Sequence, residues 1–392
     1  MLRKTRSHCC LRVRSFIGNM KIGILTFHSQ LNYGGVLQCW ALQTALERMG
    51  HDVVVIDREF EHQIRSIWGI FKDWSPTEWI KFIIKLIVMK PSGLRVFRYI
   101  NTVRFVRHNL HLTPYSFKDW ANAPKELGVD LIIVGSDQVW NGIWQDPRTY
   151  LLEHLQDIPS IGYAISLGMT KLPDQYLESY EAASSRFAAV SVREKEAGEI
   201  LSRIGFSPQR VVDPVLLNYD NWHRPASLHN SGLVCYFIAN DILSGDVIFE
   251  LEKFSKSHRL PVNIYLQQYG GARLKAKNVV VHYTSGPKEF YNAIASAKCV
   301  VTDSFHGLAF SAMFDKNVRV IRPTNENRAM MFARIHEFLN RYMIGDCASE
   351  NVPDALASIS AGLRSIVRKE QMISDIRESA AWLQTNIAKV SR

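Results

Sequence analysis

Short apolar runs that stop abruptly at glycine-rich or polar clusters, each followed by a helical pattern, recur along nearly the whole chain. Residues 22–27 form the first run and lead into the loop HSQLNYGG at 28–35. Val36 and Trp40, and then Leu42, Leu46 and Met49, follow at helical steps, and Gly50 stands where that helix must stop. A second run at 53–56 ends in Asp57, which completes a β-α-β unit. Runs with no polar alternation suit strands covered on both faces, as in a parallel sheet.

Further runs at 131–134, 160–166 and 188–192, a helix at 194–204 and the segment VVDP at 211–214 extend the first half. Polar residues and Pro225 loosen the text at 219–231, where we place a domain boundary. The pattern then restarts with strands at 233–238, 262–266, 279–281, 299–302 and 318–321, a helix at 290–297 and a long final helix at 368–388. The expected fold is α/β, with two Rossmann-like doubly wound domains facing a cleft. The first spans 20–225 with a helical insertion at 60–118, the second 226–365, and 366–392 is a C-terminal helix. Ligands in such sheets sit beyond the C-terminal ends of strands. No GxGxxG fingerprint is present.

Charge excludes a general nucleic-acid binder. The net charge is +10, but residues 1–20 hold five Lys/Arg and no acid, and 61–118 hold ten Lys/Arg against three acids, so the rest is near neutral. Residues 1–19 read as a disordered basic extension, with Met20 as the natural start; they lack the apolar stretch of a signal peptide. Six cysteines without metal-ligand spacing fit a reducing cytoplasm. No apolar run reaches the roughly 18 residues that span a bilayer.

Four polar clusters fall at strand ends. In Asn32-Tyr33-Gly34-Gly35 the glycines let backbone amides approach an anion, or merely make a tight turn. In the cluster at 135–141, Asp137 either caps a helix or accepts a sugar hydroxyl, with Gln138 beside it and Trp140 stacking. Arg193 either clamps a carboxylate or phosphate, or pairs with Glu194, Glu196 or Asp213. In the cluster at 302–307, His306 is either a general acid at a helix N-terminus or a structural histidine capped by Asp303. Ser304 and His306 are no hydrolase pair, because GxSxG is absent.

The segments KIGILTFHSQLNYGGVLQCWALQTAL, LIIVGSDQVWN, YAISLG, SVREKEAGEIL, VVDPVLL and VTDSFHGLAFSAMF, in that order, resemble the polysaccharide pyruvyl transferase family from Lys21 to about residue 340. The resemblance implies a two-Rossmann, GT-B-like fold, phosphoenolpyruvate as co-substrate, and no metal or other cofactor. It implies a cyclic pyruvate ketal made on two hydroxyls of a hexose such as galactose, during capsular or cell-surface polysaccharide synthesis. On this chain it implies His306 as catalytic acid, Asp137 as the group that orients or deprotonates an acceptor hydroxyl, and Arg193, Ser304, Gly307 and Arg328 on the donor. Asn32, Tyr33, Gly34, Gly35, Gln138 and Trp140 fall on the acceptor side. Some family members carry arginine two residues before the histidine. Here that position is Ser304, so the missing charge falls to Arg322 or Arg328, or the donor differs.

Residues 62–108 interleave aromatic and aliphatic side chains with Lys and Arg. Residues 79–89 are apolar apart from Lys81 and Lys85, which suits either a helix lying on a membrane surface or an insertion with a solvated basic face. A polyprenyl-diphosphate-linked acceptor at the inner face of the cell membrane fits the first reading. Two further functions stay open: a nucleotide-sugar glycosyltransferase on the same architecture, and a non-catalytic glycan-binding protein.

Overall fold

A computed structural model describes residues 18–28, 31–57, 75–87, 91–113, 126, 128–153, 155, 158–222, 232–267, 276–323 and 326–391; the side chains of 82, 85–87, 91–93, 240 and 326–331 are outside that description. The expected extension lies outside it through residue 17, as does the boundary between 225 and 226.

Two six-stranded parallel sheets carry the chain. The first contains β1 (Lys21–Leu25), β2 (Asp52–Val55), β3 (Leu131–Val134), β4 (Ser160–Ile165), β5 (Ala189–Val192) and β6 (Gln209–Arg210), in the order β2-β1-β3-β4-β5-β6. The second contains β7 (Leu233–Phe237), β8 (Val262–Leu266), β9 (Val279–Val281), β10 (Cys299–Thr302) and β11 (Asn317–Ile321). After the short β12 (Met343–Ile344), β13 (Ala348–Ser349) completes it. Its order, β9-β8-β7-β10-β11-β13, is that of a Rossmann sheet, 3-2-1-4-5-6 within the domain. Strand β3 is buried at every position, and so are β4, β7 and β10, as the unbroken apolar runs require.

Helix caps set where each loop ends. Helix α1 (Tyr33–Arg48) begins where the Asn32 side chain accepts from the Gly34 amide at 3.1 Å. The insertion forms α2 (Pro76–Ile87) and α3 (Pro91–Asn109). Helix α4 (Leu177–Ala183) follows β4, and α5 (Lys195–Ser202) follows β5. Asp213 caps α6 (Pro214–Leu217), with proline at its first turn. The second domain holds α7 (Gly245–His258), α8 (Pro287–Ser296), α9 (Phe305–Met313), α10 (Glu326–Tyr342) and α11 (Val352–Ser360).

The final helix, α12 (Lys369–Val390), crosses back onto the first domain. Ser379 Oγ accepts from the Val212 amide at 2.9 Å, and the Trp382 ring lies 6.2 Å from that of Tyr163. One apolar core accordingly holds Leu37 and Leu42 of α1, Phe290 and Phe310 of the second domain, and Leu383 of α12. The insertion also ties the halves together. Arg98, fully buried in α3, donates to Leu266 O, Gln267 O and Leu31 O at 2.6–2.8 Å and lies 4.5 Å over the Tyr33 ring. Arg98 is therefore no part of a solvated basic face: a buried guanidinium needs acceptors, and here carbonyls of both halves accept from both terminal nitrogens.

Candidate active site

Each sheet reverses its strand order at one point, the first between β1 and β3, the second between β7 and β10. The loops beyond those strands meet. Ser304 caps α9 by accepting from the Gly307 amide at 3.3 Å, so His306 sits in the first turn of that helix, 5% exposed. Its ring lies against the backbone of α1 in the other domain: a Cβ added to Gly34 would overlap the ring at Nδ1. Glycine is required there by close approach, not by an unusual backbone angle. Gly34→Ala must therefore push the imidazole aside; the expected result is a roughly 10²-fold loss of kcat with a fold intact by circular dichroism. Wild-type turnover in that variant would mean that the ring's seat does not matter.

Three side chains of the first domain face the imidazole. Arg193, at the end of β5, pairs closely through Nη1 with Asp213 Oδ2 and reaches Asp137 Oδ1 through Nη2 at 3.3 Å. His306 Nε2 is 3.8 Å from Asp213 Oδ2 and makes no hydrogen bond. Asp213 Oδ1 accepts from the Val215 amide, and Ser136 Oγ donates to Oδ2. Asp137 has a positive φ of 74° and accepts from its neighbour Gln138's amide, which turns its carboxylate toward Arg193. Arg334 of α10 comes within 3.8 Å of Asp137. Both guanidinium groups lie over the Phe305 ring, Arg193 at 4.9 Å and Arg334 at 5.7 Å.

Burial is the largest single influence on each ionisable group here. It drives His306 below its ordinary value; Asp213 and Asp137 oppose that, while Arg193 and Arg334 add to it. Burial pushes the Asp137 carboxyl upward, yet Arg193, His306 and Arg334 together hold it below the usual range. Glu194 is raised, chiefly by burial. It turns from Arg193's fork to accept from Ser166 Oγ at 2.7 Å and the Leu167 amide at 3.1 Å, fixing the loop after β4.

A cavity of about 470 Å³ is lined by Arg193, Asp213, Phe305 and Arg334 and continues to Tyr342 and Trp382. A second, of about 270 Å³, lies beyond β7, β10 and β11 and is lined by Ala239, Asp303, Arg322, Phe332 and Arg334. Among the described residues no three His, Cys, Asp or Glu side chains gather as a metal-binding group.

The structure brings together His306, Asp137 and Arg193, and it alters the reading of most other residues singled out from sequence. Trp140 is fully buried; its Nε1 donates to Tyr150 O at 2.9 Å and its ring packs on Phe187 and Phe206, so no face remains to stack on a sugar. Tyr33 is buried between the domains, its ring 4.9 Å from Phe290 and its hydroxyl donating to Ser285 O. Asn32 and Ser304 are helix caps, and the amides of Gly34 and Gly307 serve those caps instead of a ligand. Gly307 also leaves room for the Thr302 side chain.

Gly35 lies beside Asp137, its Cβ position 3.7 Å from Oδ2. Gln138 is buried against Gly168, with neither amide atom hydrogen-bonded. No helix follows Asp137, and Asp303 binds the amides of Ile238 and Ala239 in place of capping His306. Arg322 is exposed and 3.4 Å from Glu350. The Arg328 side chain lies outside the description. Asp213 and Arg334 carry more of the site than sequence reasoning assigned them. The Asp-Pro step in VVDPVLL, a helix cap at a strand end, was the available signal for Asp213.

The family description Polysaccharide pyruvyl transferase matches residues 32–325, well over half of the chain. The chain belongs to this family. No curated protein matches it significantly. Among solved structures the fold is similar to that of Methanocaldococcus jannaschii UDP-GlcNAc 2-epimerase in complex with UDP-GlcNAc and UDP (TM-score 0.52, 10% identity, 93% of this chain and 100% of that one). It is also similar to the Neisseria meningitidis UDP-GlcNAc 2-epimerase bound to UDP-GlcNAc (0.51, 8%, 94% and 99%) and to the S. aureus MnaA–UDP co-structure (0.50, 11%, 92% and 91%). At such identities the likeness concerns the fold alone. It matches the two facing parallel sheets of this pyruvyl transferase family member.

Proposed function

We propose that this family member transfers the pyruvyl group of phosphoenolpyruvate onto two hydroxyls of a galactose-type hexose during cell-surface polysaccharide synthesis. The carrying observation is a buried imidazole without a hydrogen bond at Nε2, facing a carboxylate and a guanidinium of the other domain where the two sheets' reversal points meet. Protonation of the donor's methylene carbon makes C2 electrophilic, and His306 supplies that proton. A sugar hydroxyl attacks C2, phosphate leaves, and a second hydroxyl closes the ketal. Of the two hydroxyl protons released, one replaces the proton that His306 gave and the other leaves with phosphate. Asp137 is the acceptor for a hydroxyl proton; the positive charges around it keep it ionised. The 470 Å³ cavity has room for the donor and one sugar, with Trp382 as an aromatic wall; Arg193 and Asp213 line it, and His306 and Asp137 lie behind them, outside its lining.

A lipid-linked acceptor is supported by α2. Trp79, Ile80, Ile83 and Ile84 expose 39–57% of their surface on one helix, beside the exposed Lys81, and α3, which packs on α2, exposes Arg95, Arg104 and Arg107. Apolar anchors with basic neighbours fit an anionic lipid surface. No described helix is long and apolar enough to cross a membrane.

The test is phosphate release from phosphoenolpyruvate with soluble galactose-terminated acceptors and with lipid-linked acceptors in anionic vesicles. Acceptor-dependent release is expected. Replacing Trp79 and Ile83 by serine should slow the vesicle reaction about tenfold and leave the soluble one unchanged. Release of a nucleotide from a nucleotide sugar instead would favour a glycosyltransferase, for which the 270 Å³ cavity beyond the Rossmann-ordered sheet offers a place.

A further inference from the structure

We propose that Arg334, and not Arg193, is the principal cation for the oxyanion of the donor. This rests on the phosphoenolpyruvate reading above. Such a donor brings a carboxylate and a phosphate, so at least one uncommitted guanidinium is needed where it binds. Arg193 is already committed: both terminal nitrogens engage Asp213 and Asp137, leaving only Nε without a partner. Other arginines lining the two cavities are also paired, Arg210 with Glu337 at 2.5 Å, Arg341 closely with Asp375, and Arg322 with Glu350. Ser304 carries no charge, and its hydroxyl caps α9.

Arg334 differs from all of these. Its side chain is 11% exposed, Nε and Nη1 make no hydrogen bond, and its ion pair with Asp137 Oδ1 spans 3.8 Å. A buried guanidinium with open donors is costly unless something accepts from them. It lines both cavities and shares the Phe305 ring with Arg193, so an oxyanion on its open nitrogens lies beside the residue that precedes His306. Arg193 then acts as a positioning residue that holds Asp137 and Asp213 in place.

Calorimetric titration of wild type, Arg334→Gln and Arg334→Lys with phosphoenolpyruvate, inorganic phosphate and pyruvate tests this. Arg334→Gln should weaken phosphoenolpyruvate binding roughly tenfold or more, as loss of charge-assisted hydrogen bonds implies. Arg334→Lys should recover part of it. The KM for donor should rise while kcat at saturating donor changes little. Weakening toward phosphate alone, or toward pyruvate alone, identifies which end of the donor Arg334 holds. Equal donor binding by wild type and both folded variants overturns the assignment and leaves the pyruvyl reading standing. Arg334-dependent phosphate binding without phosphoenolpyruvate binding keeps the oxyanion role and removes the proposed donor. Binding of none of the three anions by wild type overturns the assignment.

Discussion

His306→Ala should lower kcat for acceptor-dependent phosphate release by about 10²-fold or more, in a folded protein that still binds donor but without the proton-linked part of its affinity. The reason is positional: the imidazole is the one described ring in the cluster whose open nitrogen faces a carboxylate of the other domain. The pH dependence follows from its environment. In the unliganded protein burial holds the His306 pKa below the ordinary 6.5. As the acid it must be protonated, so kcat/KM should fall as pH rises through that lowered value. The bound donor's negative charge favours the imidazolium, so the corresponding limb of kcat should lie at higher pH. Donor binding should therefore take up a proton, measurable by calorimetry in buffers of differing ionisation enthalpy. Retention of the same limb in His306→Ala would assign the acid elsewhere.

Asp213→Ala should be among the most destabilising single changes in the protein. The carboxylate is fully buried, caps α6, accepts from Ser136 and pairs with Arg193. Its removal orphans part of a buried guanidinium and uncaps a helix. Breaking a buried pair from one side costs about 3–5 kcal/mol, and loss of the cap adds about 1 kcal/mol. Urea unfolding should show the lower midpoint with an unchanged slope. Asp213→Asn, which keeps the cap, should lie between. The double change Asp213→Asn with Arg193→Met should cost less than the sum of the single changes, because the two charges of that pair go together and only Asp137 loses a partner. Additive costs would show that the pair does not act as a unit.

The strand ends at 135, 193 and 303 were legible in sequence, because a doubly covered parallel strand writes itself as an unbroken apolar run with polar residues where it emerges, whereas the two-residue β6, Gln209–Arg210, carries no such run. The same rule marked His306, Arg193 and Asp137. It also marked Trp140, Tyr33, Ser304 and Gly307, which occupy equivalent places but are used for packing and capping. Periodicity locates a strand end; it does not say whether an aromatic ring there turns toward the cleft or the core. Asp213 was read as one of three acids that might pair with Arg193, although its Asp-Pro step already marked a helix cap. Choosing among them needed the distances.

Arg334 lay beyond sequence reasoning for a different reason. It stands four residues before Phe338 and seven before Arg341 on α10, all three of them lining the same cavity. Nothing local to 326–342 says which face of that helix meets Arg193, some 140 residues earlier. The same holds for Arg98, counted in sequence with a basic surface and found binding carbonyls of both halves.

By itself the sequence determined two parallel α/β domains, the chain's family, and a histidine, an arginine and an aspartate at strand ends, because backbone pairing and apolar burial are read locally. The tertiary structure alone decided that α12 returns to the first domain, that Gly34 seats the His306 ring, and that Arg193 is committed to two carboxylates while Arg334 keeps open donors. Those outcomes depend on how two distant sheets face each other, and that geometry is set by packing across the whole chain.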